Sequence, residues 1–232
     1  MRQICCILLF MAAFMVKGTN SEKYIKVGTR SYQYNNKNLC IEKQSYDVSN
    51  NLISYAKYLY DDQGNKIGTL KYNADSTLLA RYIYLYKDTL KVKTIKVDYR
   101  KDEETSREFT YNDELQCVHT MYFNNGKTIK SIKTNYTPKG ESFRKQYFNG
   151  TNELTRDLYF KYTYSNNRIV KKSKFSQDDK LLTQSLYEYN KKGHKHIYYL
   201  NYASGKKKSK KRVYHYNDKG LHISTDVFEL CP

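Results

Sequence analysis

The chain has 232 residues and carries 41 Lys and Arg against 23 Asp and Glu, a formal net charge of +18. Hydrophobic residues make up 39% and aromatic residues 15%, nearly all of the latter tyrosine, with 26 Tyr, 9 Phe and no Trp. So many aromatics disfavour a disordered chain, and a ring that packs while its hydroxyl reaches water suits a thin, half-solvated sheet better than a dense core. The net charge by itself speaks to solubility and to contact with polyanions.

The first segment, residues 1–18, has a basic start at Arg2 and an apolar run from Ile4 to Val16, with Val16 and Gly18 at the −3 and −1 positions of a cleavage site. This is the form of a secretory signal peptide, and the run is short for a membrane span. The remaining residues 19–232 read as a single repeat domain, secreted, periplasmic or at the cell surface, and not membrane-spanning after cleavage. Cys40, Cys117 and Cys231 match no disulfide scaffold or zinc spacing.

From residue 31 onward a phrase returns. YLYDDQGNKI (58–67) reappears as YEYNKKGHKH (187–196) and YHYNDKGLHI (214–223). Its second aromatic falls at Tyr34, Tyr60, Tyr86, Tyr111, Tyr136, Tyr164, Tyr189 and Tyr216, with successive gaps of 26, 26, 25, 25, 28, 25 and 27. A second set lies between: Tyr46, Tyr72, Tyr99, Phe123, Phe148, Phe175 and Tyr202. Each unit is an alternating segment ending in an aromatic, followed by a short turn rich in Asn, Asp and Gly, which is hairpin grammar. In Tyr-x-Tyr both rings share a face.

A unit of about thirteen residues, less a turn of about four, leaves roughly nine residues per strand, or about 30 Å. The fold class is therefore all-β: an antiparallel meander of about sixteen short strands from a tandem hairpin repeat. The expected form is a twisted or curled extended sheet with two open edges able to self-associate. Tyrosine stripes would line the concave face and lysines the other. An outer-membrane barrel is disfavoured, because lysine intrudes on both faces in KVKTIKV (91–97), KKSKF (171–175) and KKKSKKR (206–212).

The chemistry-bearing residues are few. His194 and His196 share a strand face, with His215 and His222 one hairpin on, but lysine-rich surroundings repel a cation. The acid pairs Asp61-Asp62 and Asp178-Asp179 fall in turns, where Asp bonds its own backbone. No nucleophile elbow or phosphate loop is present. No catalytic, metal or cofactor site is expected. The best contact patch is Lys206, Lys207, Lys208, Lys210, Lys211 and Arg212, with Tyr202 and Tyr214 beside it, suited to phosphate or sulfate groups.

The phrases YLYDDQGNKI, YEYNKKGHKH and YHYNDKGLHI resemble the YD repeat of RHS-like proteins, built on a Tyr-Asp-x-x-Gly core. FTYNDELQCV (109–118) and YTYSNNRIVK (162–171) are versions without the glycine. The chain is similar also to MORN-like hairpin repeats. The resemblance spans most of residues 31–228 and implies a strip of β-hairpins, which in large relatives wraps into a shell around a cargo. The expected function is a non-enzymatic repeat scaffold of the cell envelope that binds a protein or an envelope glycan. The alternative is a basic, tyrosine-rich protein that binds a polyanion: acidic glycan, lipopolysaccharide or nucleic acid.

Overall fold

A computed structural model describes residues 24–204 and 207–230. The segment 1–18 lies outside them. Sixteen strands follow one another: β1 (Tyr24–Tyr34), β2 (Cys40–Tyr46), β3 (Leu52–Tyr60), β4 (Lys66–Asn73), β5 (Leu78–Lys87), β6 (Leu90–Asp98), β7 (Glu103–Tyr111), β8 (Cys117–Asn124), β9 (Lys127–Tyr136), β10 (Ser142–Asn149), β11 (Leu154–Ser165), β12 (Arg168–Ser176), β13 (Leu181–Tyr189), β14 (Lys195–Tyr202), β15 (Lys210–Tyr216) and β16 (His222–Leu230). Both sets of aromatics fall at or next to strand ends, so the phrases are corners of hairpins, as the alternation predicts.

The turn explains the phrase. In Asp61–Asn65 the Asp61 Oδ1 accepts the Asn65 N–H at 2.7 Å, and the Gly64 N–H donates to the Asp61 carbonyl at 3.0 Å. Gly64 has φ +84°, a left-handed conformation. The same cap recurs from Asn35, Asn112, Thr137, Asn190 and Asn217. Asp or Asn after the tyrosine is therefore the turn's cap, and the glycine is its left-handed corner.

The sheet is not open. Every strand pairs antiparallel with the next, and β16 returns to β1, with Tyr24 opposite Leu230 and Ser31 opposite Ser224. This corrects the expected extended sheet. Its physical cause is the bulge beside nearly every turn. In β3–β4, Tyr60 faces Lys66 and Leu59 faces Gly68, leaving Ile67 unpaired. Of the pairings, β6–β7 and β14–β15 lack such a shift. Bulges bend and twist a strand, and their regular repetition carries the sheet round until its ends meet. Closure satisfies the edge N–H and C=O groups and removes the free edges that edge-to-edge self-association would require.

Few side chains form a core. Among the described residues, the buried apolar ones are Ala80 and Leu158. A barrel of sixteen strands is wide enough to enclose an aqueous channel. Its stability comes from the continuous ladder and from rows of side chains along each face.

Register fixes which residues share a face. Tyr58, Thr69, Tyr82 and Lys96 are in line around β3–β6, and Arg107, Tyr122 and Lys130 around β7–β9. This row is the inner one. Burial acts on tyrosines of this inner face: Tyr58 is pushed up to about 12, and Tyr187 and Tyr214, on the same face of β13 and β15, are raised. Lys43 on β2 also feels Arg212 on β15, three strands around the wall, a proximity that curvature provides on the concave side. Tyrosine thus lines the inside, as expected. Lysine does not take only the other face: it lines both.

Candidate functional site

At one rim the inward tyrosines form a belt. Tyr60 donates to the Cys40 carbonyl at 2.7 Å, Tyr86 to Lys66 at 3.0 Å, Tyr111 to Lys91 at 2.9 Å and Tyr136 to Cys117 at 2.8 Å. Tyr162 donates to Ser142 at 2.8 Å, Tyr189 to Ile169 at 2.8 Å and Tyr216 to Lys195 at 2.7 Å. Tyr34 closes the belt on the His222 carbonyl at 2.7 Å. Each bond ties a hairpin to the one before it. Tyr162, not Tyr164, is the sixth member of the belt in chain order; Tyr164 donates instead to Glu141. That substitution removes the one irregular gap in the sequence period.

Below the belt, cations lie on the rings. Lys66 Nζ is 3.9 Å from the Tyr58 centroid and 5.5 Å from that of Tyr84. Lys91 lies between Tyr84 and Phe109 at 5.3 and 5.4 Å. Arg107 and Lys130 approach Tyr122 at 5.2 and 4.6 Å. Lys172 lies over Phe160 and Lys195 over Tyr187, at 4.6 and 4.7 Å. Each contact is worth about 0.5–2 kcal/mol, depending on desolvation. Burial lowers Lys43, Lys66, Lys174 and Lys195 from the usual lysine range, and for Lys43, Lys66 and Lys174 neighbouring cations add to it. The inner acids Asp98 and Glu229 are already paired, with Lys96 at 2.6 Å and Lys210 at 3.0 Å. The lumen is therefore basic and aromatic with positive charge left uncompensated.

One wall of it is concave enough to hold a cavity of about 490 Å³, bounded by β5–β9 and lined by Tyr82, Tyr84, Lys91, Arg107, Phe109 and Lys130 among others.

The patch expected from KKKSKKR is divided by strand alternation. Lys210 and Arg212 point inward with Tyr202 and Tyr214, Lys210 bound to Glu229 and Arg212 5.6 Å from the Tyr198 ring. Lys211 points outward, between Tyr199 and Phe228 at 5.7 and 5.8 Å. Lys207 lies in the turn 5.7 Å from Tyr202, Lys208 is exposed, and Lys206 is outside the described residues. Sequence reasoning missed Lys66, Lys91, Arg107, Lys130 and Lys195. The signal for three of them is the lysine or arginine that begins or follows a turn, opposite the tyrosine that ends the preceding strand.

The histidines diverge: His215 bonds Asp226 on the outer face at 3.0 Å, while His222 turns inward to Thr225 at 2.7 Å. Among the described residues no group of three or more His, Cys, Asp or Glu could hold a metal ion. Asp61 is used up as a turn cap.

The outer face is not an apolar band. Lys57, Arg81, Lys133, Lys161, Lys171 and Glu188 project from it by register. Lys93 pairs there with Glu108 at 3.0 Å, and Arg144 with Asp157 at 2.6 Å. Exposed Ile53, Leu59 and Leu85 lie among them, with Ile83 paired to Ile95 on the same face.

No family model matches the chain, and no curated protein does. Among solved structures it is similar to a porin-like protein from Bacteroides uniformis ATCC 8492, with 10% identity, TM-score 0.50, and coverage of 90% of this chain and 96% of that one. It also matches the structure of TcdB2-TccC3-TEV at 10% identity and TM-score 0.36, over 83% of this chain and 14% of that one. The first likeness is one of fold: a closed antiparallel β-barrel.

Proposed function

We propose that this chain is an exported, non-catalytic β-barrel of the cell envelope that works in an aqueous compartment and holds anionic ligands in its lumen. The observation that carries this reading is the inner ring of lysines and arginines lying on tyrosine and phenylalanine, with the inner acids already paired. Inward cations in a concave, partly desolvated wall concentrate field lines and draw in anions. The leader-like segment 1–18 supports export, and the β-hairpin repeat supplies the building block of the wall.

A second reading, an outer-membrane pore, is favoured by the porin-like barrel neighbour and its matching extent. The outer face opposes it. A lipid-facing band must be apolar over about 25 Å, and a midplane Lys or Arg costs about 2–4 kcal/mol. Here Lys57, Arg81, Lys133 and Lys161 stand on that face.

The processed chain, expressed without its leader, separates the two. The lumen-binding reading expects a soluble protein without detergent, retained on heparin resin at low salt and released as salt rises. Co-flotation with liposomes together with single-channel conductance would establish the pore instead. A soluble protein that heparin does not retain at low salt would overturn the lumen-binding reading.

A further inference from the structure

We propose that the β5–β9 wall is a discrete binding site for an acidic oligosaccharide, a hydroxyl-rich chain bearing sulfate or carboxylate groups. This rests on the lumen-binding reading and assigns it a place and a ligand class. Three observations converge on that wall.

The first is charge without a partner. Lys91, Arg107 and Lys130 line the cavity, and among the described residues none forms an ion pair. The acids nearby are already taken: Asp98 by Lys96 and Arg100, and Glu103 by the Asn124 amide at 2.7 Å. An incoming oxyanion therefore meets three cations and displaces no internal salt bridge. Charge-assisted hydrogen bonds of this kind are the strong ones.

The second is spacing. Arg107 and Lys130 approach Tyr122 from β7 and β9, the strands on either side of β8. Two interstrand steps place their backbones about 10 Å apart. Lys91 comes in from β6. Cations so distributed suit several anionic groups along a chain better than a single small ion.

The third is the state of the rings. Lys91 lies over Tyr84 and Phe109, and Tyr122 has both Arg107 and Lys130 on it. Rings already engaged by cations are poor platforms for nucleobases, whose binding to single strands depends on open aromatic faces. What remains for a ligand is ammonium, guanidinium and hydroxyl, the last from Thr94 and Thr105. That donor set matches a sugar chain carrying oxyanions.

The test uses the processed chain, isothermal titration calorimetry and four probes of similar length: a heparin hexasaccharide, neutral maltohexaose, inorganic polyphosphate and hexathymidylate. The heparin fragment should bind tightest, with one main site and an affinity that falls steeply with salt, and maltohexaose should not bind. The pair Arg107→Gln and Lys130→Gln should weaken heparin binding by about tenfold or more. Lys171→Gln, on the outer face, should change it less than about twofold, and circular dichroism would verify that both variants keep the barrel. Heparin binding unchanged in the Arg107/Lys130 variant would overturn the site while leaving the lumen reading intact. Tighter binding of polyphosphate or hexathymidylate would overturn the ligand class. Equal binding of maltohexaose would overturn both, as would no binding of any probe at low salt.

Discussion

The Tyr34 hydroxyl lies 2.7 Å from the His222 carbonyl, joining the first strand of the barrel to the start of the last. The same bond is made by each neighbouring hairpin, with the donor about twenty residues after the acceptor, as for Tyr60 to Cys40 and Tyr86 to Lys66. At the seam the identical contact spans 188 residues. The seam is thus built from the repeat's own local rule, and closure needs no special element.

Removing one of these hydroxyls leaves a ring that still packs and a carbonyl that has lost a donor. Tyr34→Phe and Tyr60→Phe should each cost about 0.5–1.5 kcal/mol, the net worth of one hydrogen bond. Urea unfolding should show the loss as a lower midpoint at unchanged slope. A changed slope in Tyr34→Phe alone would mean that the seam opens separately from the rest.

The turns give a pair of opposite expectations. Gly64 and Leu115 occupy the same fourth position, with φ +84° and +59°, yet Leu115 is a non-glycine residue and exposed. A left-handed conformation costs an L-residue about 1–2 kcal/mol. Gly64→Ala should therefore destabilise by about 1 kcal/mol, and Leu115→Gly should stabilise by somewhat less, since glycine also loosens the unfolded chain. Thermal unfolding of the two variants side by side checks the sign of each.

Much of this fold is legible in the sequence, for a physical reason: hairpins are local. The corner tyrosines, the Asp or Asn caps and the alternation are all decided within about ten residues, so the strand number can be counted. Closure is different. The β1–β16 pairing joins residues near 24–31 to residues near 224–230, and no local signal announces it. Only the accumulated bulges do, and a bulge is visible in sequence merely as an extra apolar residue such as Ile67 or Ile223. The contact patch divides between the two faces for a related reason. KKKSKKR looks like one surface because its charges are adjacent, but a strand sends neighbours to opposite faces, and the pairings of Tyr198 with Arg212 and Tyr199 with Lys211 decide which go inside. The lumen cations escaped notice because each meets its ring across a strand boundary, not along the chain.

The belt and the lysines pull stability in opposite directions with pH. Burial raises Tyr34, Tyr60, Tyr86, Tyr111, Tyr136 and Tyr216 above the usual tyrosine value. The stability they contribute is complete below about pH 10 and is lost as pH rises through their folded values. Lys43, Lys66, Lys174 and Lys195 are lowered, so the folded chain holds those protons less tightly than the unfolded one. Stability therefore rises as pH climbs from below their folded values toward about 10.4. Together they place the optimum on the alkaline side of neutrality, close to pH 9–10, instead of the common range of about pH 5–8. Melting temperature against pH, with phenolate absorbance recorded alongside, checks this: the inner tyrosines should ionise only as the β signal collapses, whereas independent titration near pH 10 in an intact barrel would refute it.

On the lumen-binding reading the same lysines set anion binding against stability, and Lys43 is the clearest case. It sits on the inner face opposite Tyr32, with Arg30, Lys71 and Arg212 all pressing its charge in the unfavourable direction. No acid offsets it among its described ion pairs. Replacing a partly buried, like-charged cation with an apolar side chain of similar length removes desolvation and repulsion at once, a change that commonly gains stability. Lys43→Met should raise stability by about 0.5–1.5 kcal/mol in low salt. The gain should shrink as sodium chloride is added, because the screening length falls from about 30 Å at 0.01 M to about 3 Å at 1 M. If the inward charge is there to hold anions, the same variant should bind heparin more weakly at every salt concentration. A variant that is both less stable and unchanged in heparin binding would mean that Lys43 serves the wall through its alkyl chain and not the lumen through its charge.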